Sequence, residues 1–209
     1  MKTEVQTKMN RGRLIVFSAP SGCGKGTMLA EILKDESFYC SISATTRKPR
    51  EGEVDGVNYY FLEKEDFVQR IDRNEFLEHA CYCGNYYGTL VSEVESKLDA
   101  GVNVILEIEV QGAMKIKELR PDALFVFIAP PSVGELRRRL NKRGTETQEV
   151  IDDRIAQATE ELKYMGRYDY IIVNDALEDA VNDFFTVIRA ESLKTSAQAE
   201  FIEEVIKNA

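Results

Sequence analysis

The sequence predicts an α/β fold: a parallel sheet flanked by helices, with two insertions rising from the sheet's C-terminal edge. Three observations predict it. Short apolar runs (RLIVFSAP at 13–20, VNVILEIEV at 102–110, ALFVFIAP at 123–130 and YDYIIVND at 168–175) alternate with helical stretches, and strands alternating with helices form a parallel sheet with right-handed crossovers. The first run ends in Ala-Pro-Ser-Gly and passes at once into a helical pattern, so a buried strand turns directly into a helix. Two stretches break the alternation: residues 44–93, rich in Gly, Tyr and charge, and residues 138–158, rich in Arg and Glu.

In chain order, the polar residues 1–11 are expected to be disordered. The first part of the core, 12–43, holds the strand at 13–20 and a helix after Lys25 that puts Met28, Leu29, Ile32 and Leu33 on one face. The first insertion, 44–93, follows. The core resumes over 94–137 with two strands; within 102–110, Val104, Leu106, Ile108 and Val110 share one face while Glu107 and Glu109 share the other. The second insertion is 138–158. Residues 159–209 complete the core with a strand at 168–175 and an amphipathic helix from Ala176, on which Phe184, Phe185 and Ile188 are expected core contacts. Open α/β sheets bind ligands at the C-terminal edge, where two such insertions could close from opposite sides.

Composition narrows the function. With 209 residues, 44% of them hydrophobic, the chain can bury a good core. No window approaches the roughly 18 consecutive apolar residues of a membrane span, and MKTEVQTKMNRGR has no apolar signal region. A soluble, cytoplasmic protein is expected, with no membrane partner. The net charge of −9 argues against nucleic acid as a partner, so an anionic ligand must be met by local basic clusters. Of the four cysteines, Cys81 and Cys83 form a C-x-C pair beside His79; reduced thiols are expected rather than a zinc site.

APSGCGKGT, residues 19–27, sits between the predicted strand and helix. Gly22 and Gly24 let successive N–H groups point into one concavity, and Lys25 reaches forward to the outer phosphates of a bound nucleotide. The loop departs from the usual G-x-x-x-x-G-K-[ST] in two places, Ala19 for the first glycine and Gly26 for the hydroxyl residue. In SISATTRKPREGEVDGVNYYFL, Arg47 and Arg50 flank Pro49 on an extended segment. Their guanidinium groups suit paired hydrogen bonds to phosphate, with Tyr59 a third donor.

APSGCGKGT, SATTRKPREGEVDGVNYYF, FLEHACYCGNYYGT, ILEIEVQG and VIDDRIAQA, in this order, resemble the guanylate kinases from about residue 12 to about residue 190. The resemblance implies a P-loop NTPase fold in which 44–93 is an inserted GMP-binding domain and 138–158 an Arg-rich lid. It implies transfer of the γ-phosphoryl group of ATP to GMP, and to dGMP, with Mg²⁺ as cofactor. It assigns Ala19, Pro20, Ser21, Gly22, Cys23, Gly24, Lys25, Gly26, Thr27, Arg139 and Asn174 to ATP, with Asn174 and Asp175 bordering the purine. Arg47, Arg50, Tyr59 and Tyr87 go to the GMP phosphate, and Ser43, Glu78, Thr89 and Glu109 to the guanine, with Glu107 beside them. Lys25, Arg47, Arg143 and Arg154 are the implied catalytic cations.

The chemistry is consistent with these assignments. Guanine offers N1–H and N2–H₂ donors beside an O6 acceptor, so a carboxylate such as Glu78 accepts from both donors while a hydroxyl donates to O6; on FLEH alone, Glu78 reads as an acid at a helix end. Many members of the family carry Asp where this chain has Glu107 and Glu109, so either one touches the ligand and the other acts through water. Phosphoryl transfer needs alignment and charge compensation more than a general base, and none is assigned; His79 is read as structural. Because Gly26 has no hydroxyl and Thr27 lies about 100° further round the helix, no direct protein ligand to the metal is expected, Glu107 acting through water. The alternatives are a binding module of the same fold without turnover, which Gly24, Lys25, Arg143 and Arg154 weigh against, and a kinase for another nucleoside monophosphate, which Ser43, Glu78 and Thr89 weigh against.

Overall fold

The computed structural model describes residues 11–82, 84–143 and 147–208, without the side chains of Tyr82 and Arg143. The expectation for residues 1–10, and Cys83 of the C-x-C pair, lie outside the described residues. Chain order is β1 (Leu14–Ser18), α1 (Lys25–Ile32), β2 (Phe38–Cys40), β3 (Ser43–Thr45), β4 (Tyr60–Phe61), α2 (Lys64–Asp72), β5 (Phe76–Tyr82), β6 (Asn85–Leu90), α3 (Val91–Asp99), β7 (Asn103–Glu107), α4 (Val110–Leu119), β8 (Leu124–Ala129), α5 (Val133–Arg143), α6 (Gln148–Leu162), β9 (Tyr170–Val173), α7 (Leu177–Ser192) and α8 (Ala199–Lys207).

The main sheet has the order β2-β7-β1-β8-β9, and every pairing in it is parallel. β1 lies at its centre with all five residues buried, because helices cover both faces. Ile15 and Phe17 pack with Met28, Leu29, Ile32 and Phe184 on one face; Leu14 and Val16 pack with Val94, Leu98, Val110 and Ile116 on the other. The same covering corrects the alternation expected over 102–110. Val104, Ile105 and Leu106 are all buried, the strand stops at Glu107, and Val110 opens α4 with Glu109 as its N-cap. Glu107 and Glu109 therefore do not share a strand face. Leu33 is a second correction: α1 ends one residue before it, and it is 36% exposed.

A second sheet, β4-β3-β6-β5, is built from residues 43–90. It has a small core of its own, in which Phe67 of α2 stacks on Phe76 at 4.3 Å and on Tyr86 at 5.4 Å. Within 138–158 lie the end of α5 and most of α6. These helices join the main core through Leu136, Leu140, Ile151, Ile155 and Ala158. Among the described residues no helix is long and apolar enough to cross a membrane.

Candidate active site

β1 ends at the centre of the main sheet, so the loop that follows it opens at the C-terminal edge. Gly22 (φ 91°) and Gly24 (φ 81°) take left-handed conformations that a side chain disfavours. Gly24 is also sterically required, because a Cβ there would meet Asn174 Nδ2 at 2.6 Å. That amide donates to the Cys23 carbonyl at 2.8 Å. Asn174 is 5% exposed, so its side chain braces the loop. Arg139 supports the same corner: its guanidinium donates to the Asn174 carbonyl at 2.8 Å, to the Asp175 carbonyl at 3.3 Å and to Glu135 at 2.7 Å.

Ala19, Pro20, Ser21, Gly22, Cys23, Gly24, Lys25, Gly26 and Thr27 line a cavity of about 490 Å³ together with Glu109, Gln157 and Glu161. Lys25 opens α1 and places Nζ 3.7 Å from Glu107 Oε1. A Cβ on Gly26 would meet nothing within 4 Å. Thr27 donates its N–H to the Gly24 carbonyl at 3.1 Å, leaving the hydroxyl as its free donor toward the cavity. Burial pushes the Cys23 thiol up to about 12, so the cysteine within the loop is inert packing. Glu109, which the resemblance gives to the acceptor base, lines this phosphate-loop cavity.

The second sheet builds another set of convergent groups. Antiparallel register puts Ser43 and Glu78 on either side of Thr89, and residues opposite one another in such a ladder share a face. Thr89, fully buried, donates its hydroxyl to Glu78 Oε1 at 3.0 Å. Glu78 thus stands mid-strand in β5, not at a helix end, and burial raises its carboxyl above the usual range. Its Oε2 comes within 3.9 Å of where a Cβ on Gly112 of α4 would lie, so the carboxylate faces the cleft between the two sheets. His79, next along β5, points outward and is exposed.

Just past β3, Arg47 lies with its guanidinium 5.4 Å from the ring of Tyr59, which precedes β4, and Tyr59 meets Tyr87 of β6 at 6.1 Å. Three of the four residues expected at a phosphate are therefore together, while Arg50 is exposed at the rim. Glu53, absent from the expectations, organises them. It takes both Arg47 terminal nitrogens at 2.8 and 2.9 Å and the Arg50 N–H at 2.7 Å. A signal was present in PREGE: Gly52 (φ 85°) turns the chain so that the Glu53 N–H bonds the Arg50 carbonyl at 3.0 Å. Arg154 lies half-buried on α6. Arg143 ends α5, and its side chain lies outside the described residues.

Comparison with known proteins agrees with this geometry. The profile of the guanylate kinase family matches residues 11–191. The chain belongs to the guanylate kinase family. It is 52% identical over 198 residues to the guanylate kinase of Clostridium perfringens (strain SM101 / Type A), covering 94% of this chain and 92% of that one. It is 47% identical over 198 residues to the guanylate kinase of Halalkalibacterium halodurans, covering 94% and 97%. The crystal structure of guanylate kinase from Anaplasma phagocytophilum superimposes with a TM-score of 0.68 at 35% identity, covering 89% of each chain. Gln157 and Glu161 are the other site residues that sequence reasoning missed; their signal was the recurrence of Arg154, Gln157 and Glu161 along one helical face.

Proposed function

We propose that this chain phosphorylates GMP from ATP with the phosphate-loop cavity as donor site and the second sheet as acceptor site. The observation that carries the reading is the row Ser43–Thr89–Glu78, set by strand register, in which buried Thr89 bonds a half-buried Glu78 whose other oxygen faces Gly112 of α4. A carboxylate in that row accepts from guanine N1–H and N2–H₂, whereas adenine presents it with an acceptor and leaves a buried polar group unpaired. Arg47, Arg50, Tyr59 and Tyr87 then fall to the acceptor phosphate, with Glu53 presetting the Arg47 fork in the plane that a phosphate would take over.

On the donor side, loop N–H groups and the N-terminus of α1 receive the β- and γ-phosphates. Lys25 bridges toward the transferring group, and Arg143 and Arg154 compensate its charge from the lid, residues 138–158. The second sheet, within 44–93, is the acceptor-binding domain; its separate core allows it to move as a unit. Mg²⁺ fits as a hydrated ion. Glu107 and Glu109 stand exposed at the end of β7, while among the described residues no three His, Cys, Asp or Glu gather closely enough to cage a metal. Glu107, beside Lys25, and Glu109, in the cavity, would hold its waters. When bound, the ion neutralises phosphate charge. Residence in a reducing cytoplasm agrees with Cys23, Cys40 and Cys81 all being free thiols.

Steady-state turnover with ATP against GMP, dGMP, AMP, CMP and UMP tests the reading. GMP and dGMP should be the good acceptors. Equal or better turnover of AMP or a pyrimidine nucleotide would overturn the acceptor-site assignment.

A further inference from the structure

The donor cavity has a charge balance unusual for a polyphosphate site. Among the described residues lining it there is one cation, Lys25, against two carboxylates, Glu109 and Glu161, and Lys25 already lies beside a third, Glu107. Glu161 is held there by the packing of α6. Ile151, Ile155 and Ala158 anchor one face of that helix in the main core, which fixes the rotation of the face bearing Arg154, Gln157 and Glu161. Gln157 Nε2 donates to Glu161 Oε1 at 2.9 Å and restrains the carboxylate. Burial raises the Glu161 carboxyl, and Glu109 raises it further, while Gln157 and Lys25 oppose them. Glu109 makes no capping bond to α4, so its carboxylate is also available to the cavity.

Loop N–H groups and a helix N-terminus attract phosphate whether or not a metal accompanies it. Two carboxylates at the wall do not act equally on both forms, because like charges at short range repel. A free triphosphate meets that repulsion in full; a triphosphate carrying a divalent cation has lost much of its charge and presents the cation's hydration waters to the acids. We propose that Glu161, together with Glu109, makes the donor site select metal-complexed ATP by excluding the free nucleotide anion. The role is one of specificity: the helix that carries Arg154 to the phosphoryl group also carries the group that rejects ATP arriving without its metal. The inference rests on the donor-site reading of this cavity.

The test is binding, by calorimetry on the full chain without GMP, of ATP in EDTA and of ATP in excess Mg²⁺. The wild type should prefer the magnesium complex. Glu161→Gln should tighten metal-free ATP by about fivefold to tenfold, the size expected when one like charge a few ångströms away is removed, and should lower the ratio of the two affinities accordingly. Glu109→Gln should shift the ratio the same way, which keeps the proposal testable if one variant folds poorly. Glu160→Gln, on the neighbouring solvent-facing position and paired with Lys163, should leave the ratio as in the wild type. An unchanged ratio in Glu161→Gln and Glu109→Gln, or an equal shift in Glu160→Gln, would overturn the proposal. So would a fall in the ratio caused only by weaker Mg-ATP binding. A wild type that binds ATP under neither condition would refute the donor-site reading itself.

Discussion

Replacing Glu78 by Gln is the sharpest probe of the acceptor site, because the structure gives it two opposite signatures. The carboxylate accepts the Thr89 hydroxyl at 3.0 Å on Oε1, leaving Oε2 and the remaining lone pairs for guanine. An amide has only one oxygen. Either that oxygen keeps Thr89 and the NH₂ group meets guanine's own donors, or the oxygen turns to guanine and can accept fewer bonds than a carboxylate. One charge-assisted hydrogen bond lost in a buried setting amounts to about 1.5–3 kcal/mol, so kcat/KM for GMP should fall about 10- to 150-fold while AMP stays a poor substrate. Stability should move the other way. Burial raises the Glu78 carboxyl above its ordinary 4.5 in the folded state, so the ionised side chain destabilises the fold at every pH above that raised value. The penalty disappears as pH falls through the folded value toward the unfolded one. Glu78→Gln should therefore melt no lower than the wild type at pH 7, with any advantage vanishing by about pH 4. Steady-state kinetics with GMP and AMP and thermal melts at the two pH values are the assays. An unchanged kcat/KM for GMP would refute the reasoning and make Glu78 a purely structural acid.

Lys25→Met should abolish phosphoryl transfer and leave GMP affinity by calorimetry nearly intact, since Lys25 opens α1 and lines the donor cavity whereas the acceptor row stands on the second sheet; parallel loss of GMP binding would contradict the division of sites. Gly26→Ser should be tolerated in folding and turnover because a Cβ there meets open space, whereas Thr27→Ala should raise KM for ATP with little change in the Mg²⁺ requirement. A Thr27→Ala enzyme that needs much more Mg²⁺ would show the hydroxyl to be a metal ligand. In hydrogen exchange, GMP alone should protect mainly residues 44–93 and ATP alone mainly α5 and α6; equal protection of both by GMP would contradict independent closure.

The phosphate loop was legible in the sequence because its constraints are local. Glycines that must take positive φ, a lysine one residue after the second of them, and a strand running into a helix all fall within a few residues. Steric rules on single residues suffice to read them. The parallel core was legible for a similar reason, as each of its strands is a continuous apolar run. The residues proposed for the acceptor could be named by type and by resemblance, but sequence alone misplaced Glu78: FLEH by itself reads as a helix end, and the antiparallel register of β5, β6 and β3 decides that Glu78, Thr89 and Ser43 stand in one row. Glu107 and Glu109 do not share a strand face because β7 stops at Glu107 and Glu109 caps α4, a boundary that the alternation of residue types does not mark. Asn174, Glu53 and Glu161 were settled only by tertiary contacts. A buried amide 151 positions from its loop carbonyl, a carboxylate returned to Arg47 by a turn, and an acid aimed by the rotation of a packed helix depend on distances between elements. No periodicity or propensity within a single element encodes those distances.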